Sequence, residues 1–172
     1  MKIIEADESH IAYLADFGST SFIHAYQCTL PLQELQKYIR DAFSEGTLRE
    51  EMNGSSATYF ICQGPSRTPC GYAKLISSPP PPSVKAKSSI ELQRLYVASA
   101  YRGQGVGRLL MSHAESYAQK RHIGDIWLRV WDGNVVAQDI YAQWGFATVG
   151  RQLYQVGEEQ RTVLVMGKSL PV

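Results

Sequence analysis

Apolar positions along the chain alternate between two periods. Lys2 to Glu5 reads as a short opening strand, and from Asp7 to about Tyr26 the residues Ile11, Leu14, Phe17, Phe22 and Ala25 recur at helical spacing, with Gly18 as a candidate break. A second helix follows Pro31, with Leu35, Tyr38, Ile39, Ala42 and Phe43 on one face. Thr47-Leu48-Arg49-Glu50 reads as a capping box opening a third, short helix that ends at Asn53-Gly54. The period then drops to two. Ala57 to Gln63 and Cys70 to Ser77 flank a Gly-Pro-Ser-Arg-Thr-Pro turn and predict a hairpin. Ser78 to Ser89, with Pro79 to Pro82, predicts an extended exposed loop that either is a surface insertion or borders a substrate groove.

The next stretch, Ile90 to Leu110, organises the rest. Its apolar residues sit at even positions first, Ile90 and Leu92, and then at odd ones, Leu95 and Val97. A strand cannot change parity without an extra residue, so a β-bulge is expected near Gln93 or Arg94, where ladder N–H and C=O groups are freed. From Val106 the pattern turns helical, with Leu109, Leu110, Ala114 and Tyr117, and runs to about His122 before Gly124. Between strand and helix lies Arg102-Gly103-Gln104-Gly105-Val106-Gly107. Alternate glycines let successive amides turn toward one point at a helix N-terminus, and Arg102 and Arg108 add positive charge, which together make a phosphate or pyrophosphate site. A ligand with amides along the bulged strand and phosphates at the loop fits pantetheine diphosphate. Downstream, Ile126 to Val130 is a strand expected parallel to Ile90–Val97, Asn134 to Trp144 is a helix stopped by Gly145, and strands over about Phe146–Val156 and Arg161–Lys168 are joined by Gly-Glu-Glu-Gln.

Composition narrows the classes. Lys plus Arg number 17 against 16 Asp plus Glu, so charge gives no reason to expect nucleic acid or an anionic membrane as a partner. No apolar run approaches the roughly 20 residues of a membrane span, and the opening residues lack a signal peptide's apolar core, so a cytoplasmic location is expected. Cys28, Cys62 and Cys70 contain no Cys-x-x-Cys pair. Cys62 and Cys70 could meet on neighbouring strands, yet reduced thiols are expected. His10, His24, His113 and His122 have no metal-ligand spacing, and no metal is expected.

Leu95-Tyr96-Val97 followed by Tyr101-Arg102-Gly103-Gln104-Gly105-Val106-Gly107-Arg108-Leu109-Leu110 resembles the acyl-CoA-binding motif of the GNAT superfamily of N-acyltransferases, R/Q-x-x-G-x-G/A. Asn134, Ala137, Tyr141 and Gly145-Phe146 resemble that family's next motif at its usual distance, so the likeness covers residues 90 to 149. The C-terminal run with Gly150, Gly157-Glu158-Glu159-Gln160, Met166 and Leu170 is similar to the bacterial spermidine/spermine N-acetyltransferase-like subgroup. The resemblance implies an α+β (α/β mixed) single-domain fold over residues 1–172: a central mixed, twisted sheet of about seven strands with a bulged central strand, flanked by about four helices. It implies acetyl-CoA as cosubstrate and a small-molecule amine as acceptor, a polyamine above all, with a homodimer left open. A protein or peptide amine is the alternative, and a CoA-binding regulator without turnover is the alternative from another class.

On that resemblance, acetyl-CoA would be held by Leu95, Tyr96, Val97, Arg102, Gly103, Gln104, Gly105, Val106, Gly107 and Arg108, with Asn134, Ala137 and Tyr141 from the second motif. Acetyl transfer to an amine needs an oxyanion donor, a proton for the departing thiolate and a neutral amine. A backbone N–H near Val97 can serve the first, and the Tyr141 phenol, neutral at pH 7, can serve the second. Glu91 matches the position of a family base, although it also reads as an ordinary strand carboxylate. Other members place a glutamate five residues before the asparagine, where this chain has Arg129, which counts against a peptide acceptor. Asn134 reads equally as an anchor for pantetheine and as a helix N-cap. Glu34, Asp132, Glu158 and Glu159 are the carboxylates available to a polyamine.

Overall fold

The computed structural model describes residues 1–85, 87–156 and 158–171, with the backbone alone for Val156 and Glu159. Seven strands form one mixed sheet in the order β1-β2-β3-β4-β5-β7-β6: β1 Lys2–Glu5, β2 Ala57–Gln63, β3 Pro69–Ile76, β4 Ser89–Val97, β5 Asp125–Trp131, β6 Ala147–Val156 and β7 Glu159–Ser169. Among the described residues five α-helices accompany them, one for each segment that the sequence pattern reads as helical: α1 Ile11–Tyr26, α2 Leu32–Phe43, α3 Glu45–Asn53, α4 Val106–Lys120 and α5 Val135–Gln143.

The parity change in β4 is a bulge. Arg94 pairs with Lys74 of β3 and Leu92 with Leu75, leaving Gln93 as the extra residue. Ile90, Leu92, Leu95 and Val97 therefore all face α4, packing with Val106, Leu110 and Met111, while Glu91, Gln93, Arg94 and Tyr96 all face the opposite side. On its other edge β4 pairs in parallel with β5 through Ser89, Ile90 and Glu91 only, whereas β5 pairs with β7 along its whole length. Beyond Glu91 the two central strands part.

On the far side of the sheet from α4, helices α1 and α3 bury Ile11, Leu14 and Leu48 against Tyr59, Ile61 and Tyr72. Gly18 does not break α1, which is continuous through it. A Cβ there would lie 2.6 Å from the Phe43 ring and 2.8 Å from the Tyr72 hydroxyl, so the glycine permits close helix packing. The cap of α3 lies three residues earlier than Thr47: Ser44 is the N-cap and accepts from the Thr47 N–H at 3.2 Å, while Thr47 Oγ1 donates to Asp41 O. At the end of α4 the left-handed residue is His122, φ 56°, rather than Gly124. The proline loop is not wholly exposed, because Pro81 is buried and Ser83 packs against Gly150. Gly157 of the expected Gly-Glu-Glu-Gln turn lies outside the described residues.

Candidate active site

The strand β4 delivers the chain into the glycine loop through a short helical turn, Ser99–Tyr101. Gly103 (φ 74°) and Gly105 (φ 82°) are left-handed, and a Cβ on either would meet nothing, so backbone conformation rather than crowding calls for glycine there. Gly105 caps α4, whose first turn closes with the Leu109 N–H donating to Gly105 O at 2.9 Å. The amides of Val106, Gly107 and Arg108 precede that bond and have no intrahelical acceptor, which leaves them for an anion. Gln104 Nε2 donates to Ala100 O at 2.8 Å and fixes the turn from within. Gly107 serves packing: its Cβ would lie 3.3 Å from Trp144 and 3.7 Å from Val97, so α4, α5 and the end of β4 converge at this point. The Arg108 guanidinium lies 5.8 Å from the Trp144 ring, and Arg102 Nε reaches Val97 O at 3.4 Å.

Helix α5 forms the far wall. Asn134 Oδ1 accepts from the Ala137 N–H at 3.1 Å, so Asn134 is the N-cap. Tyr141 is half-buried, edge-on to Trp144 at 5.8 Å and Phe146 at 5.9 Å, and packs with Val97 and Leu95 in the α4-side core. Burial, with Tyr26 nearby, pushes its phenol up to about 12, so it is a protonated donor at neutral pH. Among the described residues its hydroxyl has no hydrogen-bond partner.

Across β4 lies a cavity of about 100 Å³, walled by α1, α2, β5, β6 and β7. Glu91 sits on its floor, 4% exposed, with Arg129 Nη1 donating to Oε1 at 2.5 Å and Ser78 Oγ to Oε2 at 2.7 Å. Arg129 also donates through Nε to Gln152 Oε1 at 3.2 Å and stacks on Trp127. Arg94 and Arg161 complete the basic lining, and Tyr26, Tyr38, Tyr96 and Tyr154 supply aromatic walls. Tyr96 thus turns its ring away from the glycine-loop side. Burial raises the phenols of Tyr26 and Tyr154, and raises Tyr96 well above the ordinary tyrosine range. Glu34, Asp132 and Glu158 do not line the cavity; Glu34 Oε2 accepts from the Glu158 N–H at 3.0 Å, and the Glu159 side chain lies outside the described residues. Sequence reasoning missed Arg94, Arg161, Tyr26, Tyr38 and Tyr154, and expected Tyr96 at the cofactor rather than in this lining. The bulge could have revealed Arg94, since one inserted residue puts Gln93 and Arg94 on the same face.

Three comparisons bear on this geometry. Residues 20–146 match the family model described as Acetyltransferase (GNAT) family. The chain is 30% identical to streptothricin acetyltransferase of Streptomyces lavendulae over 134 residues, 76% of this chain and 68% of that protein. It is 32% identical to the ribosomal protein bS18-alanine N-acetyltransferase of Escherichia coli over 74 residues, 42% of this chain and 49% of that one. In fold it is similar to the crystal structure of PaiA N-acetyltransferase from Thermoplasma acidophilum in complex with coenzyme A, with a TM-score of 0.75, 19% identity and 98% of each chain covered.

Proposed function

We propose, on the premise that the chain belongs to the acetyltransferase (GNAT) family, that its two substrates meet across β4, with acetyl-CoA in the β4/β5 cleft and a small amine in the cavity. The chain is an acetyl-CoA-dependent N-acetyltransferase. The observation that carries the proposed arrangement is the parting of β4 from β5 after Glu91, which opens between the glycine loop and Tyr141.

The free amides of the glycine loop bind the phosphates, assisted by Arg102 and Arg108, and the pantetheine arm runs along Leu95–Val97 with α5 opposite. A β4 amide near Val97 donates to the thioester oxygen as the amine attacks. The C–N bond forms, the C–S bond breaks, and Tyr141 gives its proton to the departing sulfur. The amine's surplus proton leaves through water to Glu91, whose oxygens each keep a second lone pair beside Arg129 and Ser78. The lining supports a small amine over a polyamine, because its one carboxylate, Glu91, is already paired. The same reading carries a cytoplasmic location; among the described residues no helix is long and apolar enough to cross a membrane.

Thiol release from acetyl-CoA across a panel of amines, with product masses, tests the proposal. Amine-dependent thiol and a product heavier by one acetyl group are expected. A bound but unconsumed acetyl-CoA would instead identify a CoA-sensing module, and transfer to peptides alone would favour the peptide reading, which the likeness to the bS18-alanine enzyme supports.

A further inference from the structure

Arg94 is 7% exposed and has no carboxylate within ion-pair distance among the described residues. Its Nη2 makes one long bond to Ala42 O at 3.4 Å, its guanidinium stacks 4.1 Å from the Phe43 ring, and the Tyr72 hydroxyl lies against it. Nη1 is buried without a hydrogen-bond partner. Of the nearby carboxylates, Glu51 is committed to Lys74 and Tyr59 and Glu91 to Arg129 and Ser78, while Asp41, which shares a second cavity with Gln93 and Arg94, stands beyond ion-pair distance. A buried cation left without a counter-ion is costly, and the structure provides none from within. Arg94 lines the cavity, so the missing anion has a place to enter.

A second orphan stands beside it. Gln93 Oε1, an acceptor, is also buried without a partner and also lines the cavity. The bulge turns both side chains to the same face, from α-carbons about 3.8 Å apart. An orphaned donor and an orphaned acceptor that line one cavity suit one small molecule carrying both an anion and an N–H group.

We infer that the acceptor amine carries a carboxylate, which pairs with Arg94 Nη1 in the cavity while Gln93 Oε1 accepts from the amine. Among the described residues Arg94 Nη1 is the one buried guanidinium nitrogen without a partner, which matches a singly charged group, and about 100 Å³ suits a compact one. Arg129 and Arg161 add positive potential and repel a polycation. The inference rests on acetyl transfer in the cavity as proposed above.

The test compares α-amino acids with their own carboxamides as acceptors, by thiol release at saturating acetyl-CoA, in the wild type, Arg94→Met and Arg94→Lys. The carboxamide's amine is the less protonated of the two at neutral pH, so a preference for the carboxylate has to come from binding. In the wild type kcat/KM should favour the carboxylate by about 10- to 100-fold, the usual value of a hydrogen bond to a charged group. Arg94→Met should bring that ratio near one with an unfolding temperature no lower than wild type, because it removes an unpaired buried charge. Arg94→Lys, which keeps the charge, should retain part of the preference and carries the comparison if the methionine variant does not fold. A wild-type ratio near one, or a ratio that survives in Arg94→Met, overturns the inference. Turnover only of amines that lack a carboxylate would overturn it and leave acetyl transfer standing; no thiol release with any amine would remove both.

Discussion

In the proposed arrangement the cofactor's position turns on Gly105. At φ 82° any side chain is strained by about 1–2 kcal/mol, yet a Cβ would touch nothing, so a substituent is felt chiefly by whatever binds the amides. Gly105→Asp adds bulk and a like charge where phosphates are expected, and calorimetry should find acetyl-CoA binding abolished. Unchanged affinity would move the cofactor elsewhere. Glu91→Gln should lower kcat/KM most at low pH, where the acceptor amine is mostly protonated; a profile of the same shape and height as wild type would leave solvent as the only base. The Tyr141 phenol, raised to about 12, keeps its proton well past the ordinary value near 10. Because the raised pKa favours the neutral form, kcat at saturation should hold through pH 10, and a decline centred there would assign the limb to an unperturbed group. The residues of the glycine loop were legible in the sequence because glycine spacing states a backbone conformation. Arg94 was legible only through the bulge, and Arg161 was not, because an arginine on a regular strand looks the same whether it faces solvent or a cavity.

At the scale of elements, β4 was readable in detail because alternation has a fixed parity, and a parity change has one local cause, here Gln93. Helix α1 shows the opposite case. Gly18 looks like a breaker by propensity, while its actual constraint comes from Phe43 and Tyr72, residues distant in the chain. Gly18→Ala decides between the two: propensity alone would stabilise the helix by about 1 kcal/mol. Overpacking against two buried rings costs about 1–3 kcal/mol and should win. The unfolding temperature should fall by a few degrees, and a rise would show that the rings yield freely. The cap of α3 was misplaced for a related reason, since Thr47 and Ser44 both have capping chemistry and only the path of the preceding chain selects Ser44.

Across the whole molecule, in the proposed arrangement, β4 separates a cofactor cleft from an acceptor cavity, and among the described residues no thiol is suited to a covalent relay between them. All three cysteines are free, but Cys62 and Cys70 are buried, and burial pushes the Cys62 thiol up to about 12, far from a thiolate at neutral pH. Cys28 is exposed and does not line the cavity. Initial-velocity lines for the two substrates should therefore intersect, and parallel lines would require an acetyl-enzyme. The β2–β3 hairpin and the parallel β4/β5 pair were legible in local patterns; the full strand order and the character of the cavity were not, because the cavity's walls come from α1, α2 and β4 to β7 and exist only once the chain has closed. In the proposed arrangement the cleft holds the thioester with its sulfur at Tyr141. Single-turnover acetyl transfer by Tyr141→Phe tests it most directly, since the variant keeps the ring packed on Trp144 and Phe146 and loses only the proton. The chemical step should slow by about 10²–10⁴-fold while acetyl-CoA binds nearly as in the wild type; a chemical step at more than about half the wild-type rate, against that expected loss, would make Tyr141 a packing residue and leave water as the acid.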